Sequence, residues 1–427
     1  MTRKLRDDCF LHDDDRLRHG EALAILRERI APVAAVVELA PEDAAGRILA
    51  EPVVAPRPIP AHTNAAVDGY AFAHADYDAG AGSTLPVSGR AAAGHALAGP
   101  AEAGTALRIF TGAAMPEGTD SVVMQEDVES TERDGVPLVR IPPGLKPGAN
   151  CRLAGEDSEA GATLLEAGGR LRPQDVAAAA STGLARIRCY APLRVAVFST
   201  GDEVVRAGEP LEAGQVYDAN APMLHGLIAA TGAECVDLGV LPDDAATVER
   251  RLAEAAGRYD ALITSGGASR GDEDHVVNAV DTLGALHMWQ IAVKPGRPMA
   301  FGQIGDCVFL GLPGNPVAVF VCFLLYVRPV LVRLSGGHWP EPARFPVQAA
   351  FSVPKKKTGR REFWRAFLTR DTDGRLAVEK FARDGSGLIS GLCAADGLVE
   401  VPEDATEVRE GQQVAFIPFT EFGIGRG

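Results

Sequence analysis

Between residues 192 and 334, short apolar runs alternate with helical stretches, and this alternation restricts the possible folds more than any other feature. The apolar runs are residues 193–198, 235–240, 261–264 and 308–312. Helical composition fills residues 222–230, 245–256, 274–283 and 316–334. Continuous apolar strands that alternate with helices predict a mostly parallel sheet covered on both faces. We therefore expect a central α/β domain over residues 189–335.

The segment before this domain contains three regions that differ in composition. Residues 1–18 are charged and aperiodic, which predicts a disordered tail. Helical patterns at residues 19–32, 41–49 and 174–184 predict an α-containing first domain, formed by residues 19–51 and 149–188. Residues 52–148 combine short strand-like runs with many Pro and Gly residues, which predicts an inserted β-rich domain.

The segment after the α/β domain begins with a Gly- and Pro-rich linker. Residues 336–427 alternate apolar and polar side chains without a long helical pattern, so we expect a small C-terminal all-β domain. The chain as a whole is therefore predicted to be a multidomain α/β protein.

Charge and cysteine usage exclude several classes of function. The 57 acidic and 42 basic residues give a formal net charge of −15, which disfavours nucleic acid and membrane surfaces as partners. The seven cysteines form no C-x-x-C pair, which indicates a reducing compartment without a structural zinc site. Residues 1–18 lack the apolar core of a signal peptide, so we expect a cytoplasmic protein.

Three of the predicted strands end in loops that favour polar or anionic ligands. These loops are residues 199–203, 264–269 and 311–316. Glycine lets the backbone approach a ligand, and small hydroxyl or amide side chains can hold it. Ligands of open α/β sheets bind beyond the carboxyl ends of the strands, so the loops predict one shared site. Its candidate residues are Ser265, Gly266, Gly267, Pro313, Gly314 and Asn315.

Charged residues near these loops suggest how an anion could bind to an acidic protein. Glu203, Asp243 and Asp274 belong to a carboxylate cluster that could hold Mg²⁺, although acids at helix N-termini are also explained by the helix dipole. Lys294 and Arg297 lie in a loop stiffened by two prolines and a glycine. This rigid basic loop is best explained as an oxyanion clamp.

A serine hydrolase is an alternative interpretation. Residues 267–271 match the G-x-S-x-G pattern of a nucleophile elbow, which would make Ser269 the nucleophile. No oxyanion-hole motif precedes it, so we interpret the match as part of a Gly-rich anion loop. The hydrolase hypothesis requires that a fluorophosphonate label Ser269 and that Ser269→Ala abolish esterase activity.

The motifs together resemble a known family. The sequence Asn64-Ala65-Ala66-Val67-Asp68-Gly69-Tyr70-Ala71 resembles the N-S-A-M-D-G-Y-A signature of MoeA molybdopterin molybdenumtransferases, which are related to the E domain of gephyrin. The likeness continues, in the family's order, through residues 108–113, 122–126, 155–157, 198–203, 264–269, 294–296 and 312–316. Gln290 and Ala318 depart from residues that are common in the family.

The resemblance implies a fold and a reaction. The first domain would be elongated and would carry the β-rich domain as an insertion. The central α/β domain would resemble molybdopterin-adenylylating proteins, and the C-terminal domain would be a β-barrel. Members form homodimers whose active site lies between the α/β domain of one chain and the inserted domain of the other. They convert adenylylated molybdopterin and molybdate, with Mg²⁺, into molybdenum cofactor and AMP. Molybdopterin adenylyltransferase and molybdoenzyme-maturation proteins are candidate partners.

The resemblance also implies roles for particular residues. Catalytic acids would be Asp68, Asp157, Glu203 and Asp274, of which Glu203 and Asp274 would hold the metal. The substrate-binding residues would be Thr111, Asp243, Ser265, Gly266, Gly267, Lys294, Arg297, Pro313, Gly314, Asn315, Arg365 and Ser386. The gephyrin relationship leaves a non-catalytic scaffold as a further alternative. The charged residues Asp68, Glu203 and Lys294 speak against it, because a scaffold does not need them.

Overall fold

A computed structural model describes residues 16–266, 275–296, 298–371 and 373–426 of the 427-residue chain. A seven-stranded sheet forms its centre. In spatial order the strands are Arg16–Leu17, Ala285–Ile291, Pro298–Ile304, Cys307–Leu312, Ala261–Ser265, Arg194–Thr200 and Glu234–Leu241. The last four are mutually parallel, while Pro298–Ile304 is antiparallel to both neighbours. The predicted mostly parallel α/β architecture is confirmed.

Helices and alternating side chains cover both faces of this sheet. Val195 and Val197 join one buried cluster, and Ala196 and Phe198 join another, as the two-residue period of a strand requires. The helices of this region are Asn220–Ala230, Ala245–Ala256, His275–Leu283 and a continuous run formed by Pro316–Cys322, Phe323–Val327 and Arg328–Leu334. The middle part of that run is a π-helix, and its side chains are buried.

One strand differs from the sequence prediction. The apolar run within Glu234–Leu241 was expected to be buried on both faces, but most of its residues are half-buried or exposed, and Val236 is 41% exposed. The strand lies at the edge of the sheet, where one flank has no neighbouring strand. Asp237, in the middle of this strand, pairs with Arg206, and a charged side chain is typical of an exposed edge strand.

The long apolar helix is a core element. Among the described residues, Pro316–Leu334 alone is long and apolar enough to cross a membrane by length and composition. However, 83% of its most apolar window is buried inside the fold. Burial of this kind is typical of the central helix of a globular domain.

The first part of the chain combines two helices with short antiparallel pairs. The helices are His19–Arg29 and Pro173–Ser181. The strand pairs are Val36–Leu39 with Ile187–Tyr190, Val53–Val54 with Thr163–Leu165, and Asn64–Ala65 with Cys151–Arg152. Leu17, assigned to the tail from sequence, is buried in a strand on the central sheet.

The prediction of a helix over residues 41–49 is wrong. Only a single 3₁₀ turn, Pro41–Asp43, forms there. Gly46 adopts a φ of 76°, which a right-handed helix does not permit, and Ile48 and Leu49 form bridges to Arg170 and Cys189. Tertiary pairing therefore overrides the local helical composition.

A second sheet of six strands lies within the predicted insertion. Its order is Ser121–Met124, Gly69–Phe72, Ala106–Ile109, Ser83–Ala91, Val136–Ile141 and Glu129–Arg133. A core that includes Phe72, Leu85, Val123 and Ile141 packs on it. The exact domain boundaries given above stay a prediction.

The C-terminal segment forms a closed barrel of five strands. Around the barrel they are Arg361–Arg370, Leu376–Lys380, Phe345–Ala349, Gln413–Pro418 and Gly397–Val401, and the last pairs again with the first. A short helix, Ser390–Ala394, precedes the strand Gly397–Val401. The predicted C-terminal β-barrel is confirmed.

Among the contacts that join the barrel to the rest of the molecule are a strand pairing and a buried histidine. Val293–Lys294, which follows a central strand, pairs in parallel with Arg361–Glu362 of the barrel. His19 lies buried against Phe363 and shares a 2.8 Å hydrogen bond with the Tyr326 hydroxyl. Burial lowers the pKa of His19 to about 4, so the imidazole is neutral at pH 7. The first helix, the core helix and the barrel therefore meet at one buried point.

Gly397→Ala should destabilise the barrel. A Cβ at this position would lie 2.3 Å from the Ile417 carbonyl oxygen and 2.6 Å from a ring carbon of Phe416. Overpacking of this kind costs about 1–3 kcal/mol, so thermal unfolding should shift to lower temperature. Gly387→Ala is the control, because among the described residues no heavy atom lies within 4 Å of its added Cβ. Equal melting temperatures for the two variants would contradict the packing argument.

Candidate active site

A cavity of about 310 Å³ lies between the end of the central sheet and the barrel. Five residues predicted from sequence line it: Lys294, Pro313, Asn315, Arg365 and Ser386. The other lining residues are Pro295, Gly296, Pro298, Val317, Ala318, Phe363, Trp364, Lys380, Phe381, Arg383 and Asp384. The structure thus brings the basic loop, one strand-end loop and the C-terminal anion residues to a single place.

The loop that carries Lys294 is pressed against the core helix. Gly296 has a φ of 99°, and a Cβ there would lie 2.0 Å from the Cys322 sulfur. Glycine is therefore required both for the backbone angle and for the close approach. Cys322 is fully buried, and burial raises the pKa of its thiol well above the ordinary value. The thiol is a packing group and not a nucleophile.

Lys294 faces the cavity with a carboxylate behind it. Its ammonium nitrogen lies 3.8 Å from Oε2 of Glu362, and its side chain is 37% exposed. Glu362 is 3% exposed and also accepts hydrogen bonds from Arg360 and Trp364. The lysine is therefore held at the cavity wall while its charge remains accessible.

Arg365 organises the opposite wall. It is 6% exposed, and its guanidinium donates to the carbonyl oxygens of Arg383, Gly385 and Leu388. Burial lowers the pKa of Arg365, but arginine remains charged at neutral pH. Its main contacts hold the loop that carries Ser386. That loop is also fixed to the core helix, because the backbone N–H of Val317 donates to the Ser386 carbonyl at 3.0 Å.

Two cavity cations were missed from sequence. Lys380 lies 5.6 Å from the ring centre of Trp364 and also contacts Asp384, and Arg383 lies beside them. No sequence motif identifies these two residues, and a lysine at residue 380 is ordinary for the end of a strand. The barrel brings it to the cavity when Arg361–Arg370 pairs with Leu376–Lys380. Among the described residues, four cations and one acidic residue therefore line the cavity.

A second group of predicted residues meets on the inserted sheet. Both the backbone N–H and the hydroxyl of Thr111 donate to Oδ1 of Asp68, at 2.8 and 2.7 Å. These hydrogen bonds, with a smaller contribution from Arg108, lower the pKa of Asp68 below its ordinary value. The Arg108 guanidinium also stacks on Tyr70 and Phe110, with centroid distances of 5.0 and 4.8 Å. Asp68 is therefore an ionised, oriented carboxylate.

Three other predicted acids, Asp157, Glu203 and Asp243, are exposed and do not line the cavity. Asp157 lies in a turn whose backbone bonds to Ile59. Glu203 follows the strand Arg194–Thr200, and a Cβ at Gly201 would lie 2.4 Å from its carboxylate oxygen. Asp243 lies 3.6 Å from the His275 ring nitrogen.

A buried aspartate fixes the strand end that precedes Glu203. Asp218 accepts a hydrogen bond from the Ser199 hydroxyl and two from the backbone N–H groups of Asn220 and Ala221. It also pairs with Arg206 at 3.1 Å. Sequence reasoning missed Asp218, since an aspartate just before a helix is an ordinary turn residue.

Two of the three predicted strand-end loops are in contact where the structure describes them. The backbone N–H of Gly266 donates to the Leu312 carbonyl at 3.0 Å, and Ser265 is buried next to it. Asn220 donates to the Gly314 carbonyl at 2.8 Å. Gly267, Ser269, Asp274 and Arg297 lie outside the described residues, so their predicted roles stay predictions.

The predicted Mg²⁺ site can be compared with the metal-ligating side chains of the described residues. Among them, no three His, Cys, Asp or Glu side chains come together as a metal site. Glu203 offers an exposed carboxylate, which is a hard oxygen ligand. Mg²⁺ needs only one or two carboxylates when substrate phosphates and water complete its shell. The donor chemistry at Glu203 therefore fits Mg²⁺.

The fold and the site define a multidomain α/β protein with a C-terminal β-barrel and a cation-lined cavity between the two. Family profiles match the chain at residues 17–183 (MoeA N-terminal region, domains I and II), 196–333 ("Probable molybdopterin binding domain") and 346–419 (MoeA C-terminal region, domain IV). The molybdopterin molybdenumtransferase of Haemophilus influenzae is 38% identical over 379 residues, which cover 88% of this chain and 92% of that protein. The chain therefore belongs to the MoeA family of molybdopterin molybdenumtransferases.

Further relatives agree with this membership. The molybdopterin molybdenumtransferase of Bacillus subtilis is 30% identical and covers 89% of each chain. A crystal structure of a molybdopterin biosynthesis MoeA protein from Pyrococcus horikoshii has a TM-score of 0.80 at 29% identity, and it covers 94% of this chain and 99% of that one. The chain is thus a transferase of molybdenum cofactor biosynthesis, and the hydrolase and scaffold alternatives are not favoured.

Thr111→Val should raise the pKa of Asp68 towards its ordinary value of 3.8. The substitution removes the hydroxyl donor and leaves the backbone donor, so part of the stabilisation of the charged form is lost. A carboxyl-carbon NMR titration of the full chain measures the change. Thr119→Val is the control, because the Thr119 hydroxyl donates to the Pro116 carbonyl instead. If Asp68 titrates identically in both variants, the Thr111 hydroxyl does not act on it.

Proposed function

We propose that the protein inserts molybdate into adenylylated molybdopterin in an Mg²⁺-dependent reaction that releases AMP and forms molybdenum cofactor. The observation that carries the proposal is the cavity lined by Lys294, Lys380, Arg365 and Arg383 at the junction of the sheet and the barrel. Membership of the MoeA family supports a reaction of this kind, and the cation-lined cavity supports binding of its anionic reactant there.

Molybdate is a dianion, and the cavity offers charge and hydrogen-bond donors for it. Lys294 provides a point charge from the α/β side, and Ser386 provides a hydroxyl from the barrel side. Arg365 gives the Ser386 loop its shape and adds positive charge behind it. In a partly enclosed cavity these charges act more strongly than they would in water. Ala318, where relatives often have serine, contributes no hydroxyl.

The larger organic substrate is assigned to the strand-end loops. Ser265, Gly266, Gly267, Pro313, Gly314 and Asn315 would receive its polar and phosphate groups through backbone N–H groups and small side chains. Asp243, Thr111 and Arg297 are proposed as further contacts. The proximity of Gly266 to Leu312 supports a single binding surface for two of these loops.

Glu203 and Asp274 are proposed to hold Mg²⁺. When bound, the ion would neutralise charge on the phosphates of the substrate. AMP leaves by hydrolysis of the phosphoanhydride: the oxygen of a water molecule bonds to the phosphorus on the pterin side, and the bond from that phosphorus to the bridging oxygen breaks. The bridging oxygen departs with AMP, and the proton released by the water passes to solvent. Asp68 and Asp157 are proposed to complete the site from the second copy of a homodimer. The ionised, hydrogen-bonded state of Asp68 supports a role in orienting a cation or a water molecule.

The proposal extends to the cellular setting. We infer a cytoplasmic homodimer that receives its substrate from a molybdopterin adenylyltransferase and passes the cofactor to molybdoenzyme-maturation proteins. The net charge of −15 supports the absence of nucleic-acid and membrane partners.

The direct test is reconstitution of the reaction. Purified protein is incubated with adenylylated molybdopterin, Mg²⁺ and molybdate, and both AMP and active cofactor are measured. We expect both products, and we expect omission of Mg²⁺ to suppress them. Absence of AMP and of cofactor in the complete mixture would contradict the proposed function.

Glu203→Gln should abolish AMP release without unfolding the protein. The side chain is exposed, so loss of its charge removes a metal ligand but little stability. Single-turnover AMP release measures the effect, and thermal unfolding checks the fold. Glu209→Gln, an exposed acid in the following loop, is the control. Unchanged AMP release in Glu203→Gln would remove Glu203 from the catalytic group.

A further inference from the structure

Glu362 contacts both walls of the cavity without lining it. Its Oε2 accepts a hydrogen bond from the Trp364 indole N–H at 2.9 Å and lies 3.8 Å from the Lys294 ammonium. Its Oε1 accepts from Arg360 Nε at 2.9 Å. Lys294 belongs to the α/β side of the cavity and Trp364 to the barrel side. One carboxylate therefore sets the position of a side chain on each wall.

Its position in the chain explains this reach. The parallel register places Lys294 opposite Glu362 and Val293 opposite Arg361. Two strand residues that face each other in register have side chains on the same side. The backbone that joins the domains thus also aligns the ammonium with the carboxylate.

Stability alone does not account for a buried carboxylate at this place. Two charges that are moved out of water lose favourable hydration energy, and their mutual attraction barely compensates for this loss. Proteins in which apolar residues replace a buried ion pair are often equally stable. The barrel supplies a direct comparison in Glu400, which is 5% exposed and pairs with Arg344 and Arg361. Neither of those arginines lines the cavity. The two buried glutamates are alike in burial and differ in whether their partners reach the cavity.

We propose that Glu362 is the positioning residue for oxyanion binding: it holds the Lys294 ammonium and the Trp364 ring in the arrangement that receives the anion. The inference rests on the proposed use of this cavity for molybdate. Glu362 itself does not touch the anion. It keeps the ammonium in place before the anion arrives, so less side-chain freedom is lost on binding.

The expected sign follows from two opposing effects. The negative charge of Glu362 repels an oxyanion, so its removal alone would strengthen binding. However, Arg360 contacts the same carboxylate at 2.9 Å and offsets that charge. Among the described residues, no other acid forms an ion pair with Lys294. Release of the ammonium therefore outweighs the relief of repulsion. Glu362→Gln should weaken oxyanion binding.

The experiment is a double-mutant cycle on the full chain, read by calorimetric titration with molybdate. Glu362→Gln keeps the size of the side chain and an oxygen for the Trp364 N–H. We expect it to weaken molybdate binding about tenfold, within the range of coupled neighbours. Glu400→Gln should stay within about twofold of wild type, since it removes a comparable buried charge away from the cavity. In a Lys294→Ala background, Glu362→Gln should add less than about twofold, because its effect passes through Lys294.

Turnover separates positioning from a structural role. Glu362→Gln should raise the KM for molybdate and leave kcat at saturating molybdate near the wild-type value. If Glu362 had only a structural role, Glu362→Gln and Glu400→Gln would lower the melting temperature alike, and KM would not rise while kcat stayed constant. If Glu362→Gln fails to fold, Glu362→Asp replaces it. Aspartate keeps the charge but is one carbon shorter, so it should also weaken binding.

Several results would overturn the inference. They are equal molybdate affinity in Glu362→Gln and Glu400→Gln, full additivity with Lys294→Ala, or wild-type affinity in Glu362→Asp. Failure of the proposed function looks different: the wild-type protein would then neither bind molybdate nor release AMP. Molybdate binding that Lys294→Ala leaves unchanged would likewise overturn the inference, because Glu362 is proposed to act through that lysine.

Discussion

The parallel pairing of Val293–Lys294 with Arg361–Glu362 is the contact on which the cavity depends. It carries a short strand out of the α/β region and adds it to the barrel. The backbone hydrogen bonds fix both the distance and the register between the two domains, which side-chain packing alone would leave adjustable. The cavity lies beside this connection, so its dimensions follow from backbone geometry. Its charged side chains are then set by their local partners.

Electrostatics explains how an acidic protein can receive an anion. The net charge of −15 is spread over the surface, whereas four cations converge on one cavity. The nearby acids are each engaged with a cation: Asp384 contacts Lys380, and Glu362 contacts Arg360 and Lys294. These pairs hold the cations in place and offset only part of their positive charge. The local charge pattern matters more than the overall sum because salt screens distant charges.

The sequence predicted what depends on local pattern. Apolar runs and Gly-rich turns located the sheet and its strand-end loops, and the rigidity of residues 294–298 pointed to Lys294. It could not give contacts set by register. Lys380 and Glu362 have ordinary strand sequences, and only barrel closure brings them to the cavity. The same limit explains the wrong helix at residues 41–49, where bridges to Arg170 and Cys189 decide the backbone.

The close approach of Gly296 to Cys322 constrains how the cavity can vary in evolution. A side chain at position 296 is excluded both by the backbone angle and by the helix behind it. A larger residue at position 322 would push the loop outwards. The α/β wall therefore tolerates little sequence change, whereas Lys380 and Arg383 on the barrel wall are not confined in this way. Adaptation to oxyanions of different size or charge would accordingly proceed through the barrel, with the α/β wall held constant.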